Sequence, residues 1–189
     1  MAALKLRVAG GCTSLFSVYA PHNLKPTPEK LAFYDGLEKA LQETRGNGPA
    51  YMAGDFNARI GQRRPGEEEV LGEHGFGREA QHQVDSPNRD LLIEFCTNFE
   101  YVESNTHQQL PAYMQVTYHE PKAAPLSPIR EETFAVLDLL LAPAPTHAQV
   151  LSMWSDRLAA LASHHFPIIA TLAFEISRPN GSSRKPQKS

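Results

Sequence analysis

The segment that decides the fold is Tyr51-Met52-Ala53-Gly54-Asp55-Phe56-Asn57-Ala58, in which a short apolar run ends at a glycine before an acid and an amide two residues apart. Because alternate residues of an extended chain share one face, Asp55 and Asn57 are expected to point into one cleft. A carboxylate there can orient or deprotonate a water molecule, and an amide can donate to a phosphoryl oxygen. An Asx turn after a strand explains the same residues structurally. Both interpretations are open from this segment alone.

The segments around this stretch predict more strands than helices. Leu4, Leu6 and Val8 alternate with basic residues, as in a strand with one wet face, and 14–19 is a returning strand. Two helices are predicted. One begins at Pro28 with the apolar stripe Leu31, Tyr34, Leu37 and Leu41, and the other spans 88–99. Further strands are predicted at 101–104, 115–118, 133–141 and 167–176, whereas 150–161 is ambiguous between strand and helix. The pattern favours a layered α+β fold with packed sheets.

Length and composition are those of an ordinary globular domain. The chain has 189 residues, 41% of them hydrophobic and 21% charged, which suits one domain. No apolar run approaches the roughly 20 residues that span a bilayer, and the start has no signal-peptide pattern. Cys12 and Cys96 are too few for a disulfide framework or a four-cysteine zinc site. We therefore expect an intracellular protein that does not enter a membrane.

The chain has a net charge of −3. Proteins that bind nucleic acid tightly and nonspecifically are usually basic, so this chain lacks that property overall. Basic residues do cluster locally at 59–64 and again near the end of the chain. The second cluster lies in a segment rich in Ser, Pro and Lys, whose composition is typical of disorder. We interpret 178–189 as a basic disordered tail.

Two further segments place polar side chains at strand ends. Asp138 is a lone acid inside the apolar run 136–141, and His165 lies at the entry to the last predicted strand. A buried acid is costly unless it is paired, so Asp138 requires a partner, and His165 is the candidate. In addition, the strand 17–21 ends in Tyr19 followed by Pro21.

The chain resembles the endonuclease/exonuclease/phosphatase family over about 4–175. The resemblance rests on four motifs in this order: Tyr-x-Pro, Gly-Asp-x-Asn, an acid inside an apolar strand, and a Ser-x-His before the last strand. The segments 72–77, 88–96 and 103–106 are similar to its retrotransposon-type branch, which includes the endonuclease domains of non-LTR elements and the craniofacial development protein 2-like sequences. The resemblance implies a four-layer α/β sandwich of the DNase I type, formed by residues 1–177.

The resemblance also implies a role for each candidate catalytic residue. Asp55 would activate the attacking water, and Asn57 would hold a phosphate oxygen. His165 would stabilise negative charge on the phosphorane, with Asp138 fixing its imidazole. Tyr19 would donate to the phosphate from the side, although it is equally well explained as a core tyrosine. Thr117, which precedes the strand of Asp138, is expected to support the structure.

The cofactor implied is Mg²⁺ or Mn²⁺, with Asp55 as its main ligand. The family's metal-binding glutamate lies upstream of the Tyr-x-Pro strand and has no counterpart here, so we expect a domain incomplete on its N-terminal side. His164 stands where the family has an aspartate, which leaves it as a weak second ligand. Asp156 follows a serine but not at the final strand, and we exclude it. We therefore expect an impaired metal site.

The resulting hypothesis is a Mg²⁺-dependent phosphodiesterase or endonuclease domain of retroelement type, acting on nucleic acid, DNA rather than RNA. One alternative is a noncatalytic remnant that needs a partner, and another is a phosphatase of small or lipid phosphates. Incompleteness would also leave 4–8 or 14–19 at an exposed sheet edge, which favours self-association, and would leave Leu15, Phe16 and Val18 poorly covered.

Overall fold

A mixed five-stranded sheet carries the segments singled out in the sequence. The computed structural model describes residues 1–8, 11–44, 46, 48–77, 87–159 and 161–174. Numbered along the chain, the strands of this sheet follow the spatial order β1-β2-β3-β7-β4, with the bounds Ala2–Val8 for β1, Gly11–Tyr19 for β2, Ala50–Asp55 for β3, Tyr101–Glu103 for β4 and Asp138–Pro143 for β7.

Three helices and two small sheets complete the described structure. The helices are α1 at Thr27–Thr44, α2 at Pro87–Phe99 and the single turn α3 at Ala112–Gln115. The small antiparallel sheets pair β5 (Tyr118–His119) with β6 (Phe134–Ala135), and β8 (Val150–Ser155) with β9 (Ile168–Leu172). Two 3₁₀ turns follow β4 and β7, at Ser104–His107 and Ala144–Gln149.

The strand register brings the candidate residues to one end of the sheet. β2 and β3 are parallel, joined through α1, and Tyr19 lies opposite Asp55. β3 and β7 are antiparallel, and Asp55 lies opposite Asp138. The C-terminal ends of β2 and β3 and the N-terminal end of β7 therefore meet in one row.

Apolar side chains pack on both faces of the sheet. The larger cluster joins strand residues to both long helices and includes Met52, Leu139, Leu37 and Leu92. The smaller cluster joins the sheet to β8 through Leu140 and Met153, among others. Burial of this kind contributes about 25 cal/mol for each Å² of apolar surface, so these two clusters account for much of the fold's stability.

The structure confirms the α+β class and both long helices. The ambiguous segment 150–161 begins with β8, a strand. Four expectations were wrong. Leu31, placed in the apolar stripe of the first helix, is 46% exposed. The strand predicted at 115–118 is absent except for residue 118, where β5 begins, and the strand predicted at 133–141 is divided into β6 and β7. Phe16 and Val18 are buried in the larger cluster and Leu15 is partly buried against the smaller one, rather than poorly covered.

Strand β1 forms one edge of the large sheet. It pairs with β2 along its whole length, from Ala2 opposite Ser17 to Val8 opposite Gly11, yet most of its residues are exposed. The tail 178–189, and with it the predicted boundary at 177, lies outside the described residues. In the part of the chain that is described, no helix has the length and apolarity to cross a membrane.

Candidate phosphodiester-cleaving site

Gly54 allows β3 to approach β2 where the site begins. Its φ is +144°, a backbone conformation that favours glycine, and a side chain there would collide with the carbonyl oxygen of Val18. The glycine before Asp55 is therefore required by strand packing. Tyr19 and Asp55 consequently lie on neighbouring strands at the same level of the sheet.

Asp55 and Asn57 form a compact turn at the end of β3. The Asn57 backbone N–H donates to Asp55 Oδ1 at 2.8 Å, and Asn57 adopts a left-handed φ of +50°, which asparagine tolerates. The Asx-turn interpretation is thus confirmed, and it coexists with a shared cleft because Asn57 Nδ2 also lies 3.2 Å from Asp55 Oδ2. Burial raises the pKa of Asp55, although the hydrogen bond from the Asn57 backbone lowers it in part.

Both N–H donors of the Asn57 side-chain amide are engaged within the protein. An amide group has two N–H donors, and those of Asn57 bind the carbonyl oxygen of Ala20 at 2.8 Å and the carboxylate of Asp55. Asn88, at the start of α2, also holds this turn. Its Nδ2 donates to Asn57 O and Pro21 O, each at 2.9 Å. For Asn57 to hold a phosphate oxygen, its 3.2 Å hydrogen bond to Asp55 would have to be replaced by one to that oxygen.

The predicted pairing of Asp138 with His165 is confirmed. His165 Nδ1 lies 2.8 Å from Asp138 Oδ2, within hydrogen-bond distance, and the imidazole is about one-third exposed. The other ring nitrogen, Nε2, faces Asp55 Oδ2 at 3.9 Å. The hydrogen bond to Asp138 raises the pKa of His165, against the opposing effect of burial. Asp138 thus sets the orientation of the ring, and Nε2 faces the cleft.

Two residues without a predicted catalytic role hold the backbone of Asp138. Thr117 Oγ1 accepts from the N–H groups of Leu137 and Asp138, both at 2.9 Å, which supports the structural role expected for this threonine. Asn105 Nδ2 donates to Asp138 O at 3.0 Å. The sequence shows Asn105 only as a polar residue after a short strand, and the strand it contacts is too far away in sequence to be inferred.

The remaining candidates lie outside this hydrogen-bonded group. Tyr19 is 71% exposed, so the core interpretation of that tyrosine was wrong. His164 is also exposed, and its ring packs edge-on against His119 with centroids 4.9 Å apart. The ring of Tyr118, which the sequence did not indicate, lies 5.0 Å from that of His165. Tyr118 therefore packs beside the His165 imidazole.

The donor set does not fit a complete metal site. Among residues 1–8, 11–44, 46, 48–77, 87–159 and 161–174, no three or more His, Cys, Asp or Glu side chains are grouped to hold a metal ion. Asp55 offers a carboxylate in the cleft, whereas the carboxylate of Asp138 is bound to His165. Mg²⁺ is commonly held by one or two carboxylates together with substrate oxygens, so Asp55 alone would be a minimal site.

A cavity of about 400 Å³ lies behind this site. Its lining includes Glu103, Asn105 and Thr117, together with apolar residues such as Leu139 and Met153. Asp55, Asn57, Asp138 and His165 are not among its lining residues. The cavity and the candidate cleft are therefore lined by different residues, and Asn105 and Thr117, which hold the Asp138 backbone, line the cavity.

The fold is that of the endonuclease/exonuclease/phosphatase family. A 3′ phosphatase from Neisseria, solved with a product DNA hairpin, matches with a TM-score of 0.62 and 16% identity over 90% of this chain. The endonuclease domain of TRAS1, a telomere-specific non-LTR retrotransposon, matches with a TM-score of 0.55 and 11% identity over 90% of the chain. The chain spans 64% and 62% of these two structures, so its length corresponds to less than two-thirds of theirs.

One curated protein is similar in sequence. Craniofacial development protein 2 from Bos taurus is 32% identical over 109 residues, which is 57% of this chain but only 17% of that protein. No protein-family model matches the chain. The similarity agrees with the branch indicated by the sequence motifs, while the solved structures establish the fold.

Proposed function

We propose that this chain is a phosphodiesterase domain of retroelement type that cleaves phosphodiester bonds in nucleic acid. The observation that carries the proposal is the arrangement of Asp55, Asp138 and His165, in which two carboxylates flank one imidazole at the ends of paired strands. A structural ion pair alone does not require Nε2 of that imidazole to face a second carboxylate.

In this proposal His165 stabilises the charge that develops on the phosphorane. Asp138 accepts a hydrogen bond from Nδ1–H, which leaves Nε2 directed at the cleft. Because the pKa of His165 is raised, its protonated form persists to higher pH than that of a free histidine, and Nε2–H can donate to a phosphoryl oxygen. Donors fixed in place before reaction are effective because they do not have to reorganise.

Asp55 orients the attacking water and, in its ionised form, accepts the proton of that water. Its carboxylate is held by Asn57 through both the backbone and the side chain, so its direction is fixed. Asn57 then has two functions, orienting Asp55 before substrate binds and donating to a phosphate oxygen when the longer bond is exchanged. Tyr19, exposed beside Asp55, supplies a further donor from the side.

The proposed substrate is DNA rather than RNA. Two structural relatives support this: one was solved with a DNA hairpin, and another is the endonuclease domain of a retrotransposon. Arg59, two residues after Asn57 in the sequence, forms a 2.7 Å ion pair with Glu120 and is therefore partly neutralised. This agrees with the acidic net charge and argues for contacts that depend on local shape rather than on a broad basic surface.

Two finer features belong to the same proposal. The first is a four-layer sandwich of the DNase I type, supported by apolar packing on both faces of the large sheet. The second is dependence on Mg²⁺ or Mn²⁺, which would neutralise phosphate charge when bound. Asp55 is the proposed ligand. His164, exposed and packed on His119, is not among the residues that the structure brings around Asp55.

The proposal is tested by nicking of supercoiled plasmid with Mg²⁺, with Mn²⁺ and with a chelator. We expect weak, chelator-sensitive nicking because the donor set for the metal is minimal. Asp55→Ala and His165→Ala should each reduce the rate by about 10²–10³-fold. His164→Ala, the matched neighbour, should leave it nearly unchanged. Nicking that persists in the His165 variant would overturn the proposal.

A noncatalytic binding module is the second candidate. The observation that favours it is the lack, in the described residues, of a group of three metal-ligating side chains. It predicts binding of a DNA duplex, measured by fluorescence anisotropy, without nicking under any of the metal conditions. Release of phosphate from a 3′-phosphorylated oligonucleotide, without nicking, would instead indicate a phosphatase.

A further inference from the structure

Strand β4 ends early, and a side chain continues its hydrogen-bonding pattern. β4 pairs with β7 only from Tyr101 to Glu103 and then turns into the 3₁₀ segment Ser104–His107. Beyond that point, Asn105 Nδ2 donates to Asp138 O at 3.0 Å, and Asn105 Oδ1 accepts from Leu140 N at 3.0 Å. These two backbone groups face the same edge of β7, so the amide occupies the position of the next strand residue.

The turn that carries Asn105 is held rigidly. The carboxylate of Glu103 is fully buried and accepts from Asn105 N at 2.9 Å and from Thr106 N at 3.1 Å. Thr106 Oγ1 donates back to Glu103 O and accepts from Gly72 N. A side chain on such a fixed turn delivers its hydrogen bonds at a defined place with little loss of entropy.

Asp138 is thereby fixed at both of its backbone polar groups. Thr117 Oγ1 binds its N–H, and Asn105 binds its carbonyl oxygen. Only the Asp138 side chain is left to turn toward His165, at 2.8 Å. Asp138 is the first residue of β7, and pairing with β4 does not reach it. The two hydrogen bonds to its backbone therefore determine the direction of its carboxylate.

We propose that Asn105 is a positioning residue of the catalytic site, which acts by fixing the Asp138 backbone so that the carboxylate meets His165 Nδ1. The catalytic meaning of this assignment rests on the proposed function, but its geometric content does not. It therefore predicts an effect on the state of the His165 ring in addition to any effect on turnover.

The experiment compares Asn105→Ala with Gln108→Ala. Gln108 follows the same turn, and its amide oxygen also accepts from a backbone N–H, but that N–H belongs to Met153 in β8. The two variants thus remove similar groups that support different strands. The first readout is ¹⁵N NMR of the His165 imidazole above its pKa, assigned by comparison with His165→Asn, because the ring nitrogens distinguish the Nδ1–H from the Nε2–H tautomer.

We expect the intact protein and Gln108→Ala to hold the Nδ1–H tautomer, and Asn105→Ala to shift to a substantial share of Nε2–H. In the nicking assay, Asn105→Ala should lower kcat roughly tenfold to a hundredfold with little change in KM. An unchanged His165 tautomer in folded Asn105→Ala, or an equal change in both variants, would overturn the inference. If the protein does not nick DNA, the proposed function fails while the tautomer measurement still decides the role of Asn105.

A measurement on the unmodified protein covers the case in which Asn105→Ala does not fold. The amide proton of Leu140 is bound by the Asn105 side chain in this arrangement. Slow hydrogen exchange of Leu140, comparable with that of strand residues bound to a backbone carbonyl, supports the inference. Fast exchange at Leu140 within an otherwise protected β7 contradicts it.

Discussion

Strands β7 and β1 belong to the same sheet but have opposite surroundings. β7 is buried over its central four residues and is held by a strand on one side and by β4 and Asn105 on the other. β1 makes a longer, uninterrupted ladder with β2, yet its residues remain largely exposed. Backbone pairing alone thus does not create a core or a site. What distinguishes β7 is side chains packed on both faces and polar groups that fix its end.

The largest expected effect on stability concerns the buried ion pair that anchors α2 beside this core. Arg89 is 2% exposed and binds Glu67 through two nitrogens, at 2.6 and 2.7 Å, as well as the carbonyl oxygen of Ile60. Arg89→Ala should lower the free energy of unfolding by about 3–5 kcal/mol, because the largely buried Glu67 carboxylate then loses its charged partner and keeps the hydrogen bond from Arg64 N. Urea denaturation measures this loss.

The control for this prediction is an exposed ion pair that also links the loop before α2 to that helix. Arg64 and Asp90 lie 3.5 Å apart with side chains 39% and 72% exposed. Arg64→Ala should cost about 0–1 kcal/mol. Similar losses for Arg64→Ala and Arg89→Ala would mean that burial does not separate the two pairs.

Truncation of one leucine in each strand tests the comparison directly. Leu139 of β7 is fully buried, and Leu139→Ala should destabilise the protein by about 2–5 kcal/mol through lost burial and the cavity left behind. Leu4 of β1 is 57% exposed, and Leu4→Ala should change stability by no more than about 0.5 kcal/mol. A large loss at Leu4, measured by the same urea titrations, would show that β1 is covered in solution.

The pH dependence of stability tests the polar support of β7. Burial raises the pKa of Glu103 to about 7 from its ordinary 4.5. The folded state therefore keeps a proton that the unfolded chain releases, so the contribution is present below pH 4.5 and is lost as the pH rises through about 7. The free energy of unfolding should fall over this range, by at most roughly 3 kcal/mol.

Glu103→Gln should remove this part of the pH dependence, whereas Glu94→Gln, at an exposed position on α2, should not. Thermal or urea unfolding between pH 5 and pH 8, values that bracket most of the titration expected for Glu103, provides the measurement. Equal slopes in the Glu103 and Glu94 variants would contradict the assignment of the titration to Glu103.

The smallest effect is expected at the free edge of β1. An exposed edge strand offers unpaired N–H and C=O groups to another chain, and a charge placed on it opposes such pairing. Leu4→Lys should reduce concentration-dependent self-association in light scattering, with a change in monomer stability below about 0.5 kcal/mol. Leu126→Lys, at a similarly exposed position away from the sheet, should leave association unchanged. A monomer at every concentration for the unmodified protein would contradict the predicted edge pairing.

The sequence predicted those parts of the site that follow from the free-energy cost of burying a charged group or from the local preferences of the chain. An acid inside an apolar strand needs a partner, and that argument led from Asp138 to His165, 2.8 Å away in the structure. The turn at Asp55 and Asn57 follows from the ordinary preferences of those residues. Their catalytic roles, by contrast, stay predictions, since geometry alone does not test them.

The features that could not be predicted from the sequence depend on contacts between segments that are distant along the chain. The strand predicted over 133–141 is interrupted because the Thr117 hydroxyl accepts from Leu137 N and Asp138 N in place of a neighbouring strand. Leu31 fits the helical stripe of α1, but burial depends on what lies opposite, and the structure leaves that leucine largely in solvent. The amide of Asn105 could not be assigned to β7 for the same reason.

The pairing of β3 with β7 also bears on the order of folding. The unit formed by β2, α1 and β3 is nearly local in sequence, whereas the contact of β3 with β7 closes a loop that contains the rest of the middle of the chain. Closing such a loop is entropically costly and slow, so contacts of this kind form late. Asp55 and Asp138 therefore come together only when that loop has closed, and a ligand that needs both carboxylates will report on completion of the native state rather than on its early helices.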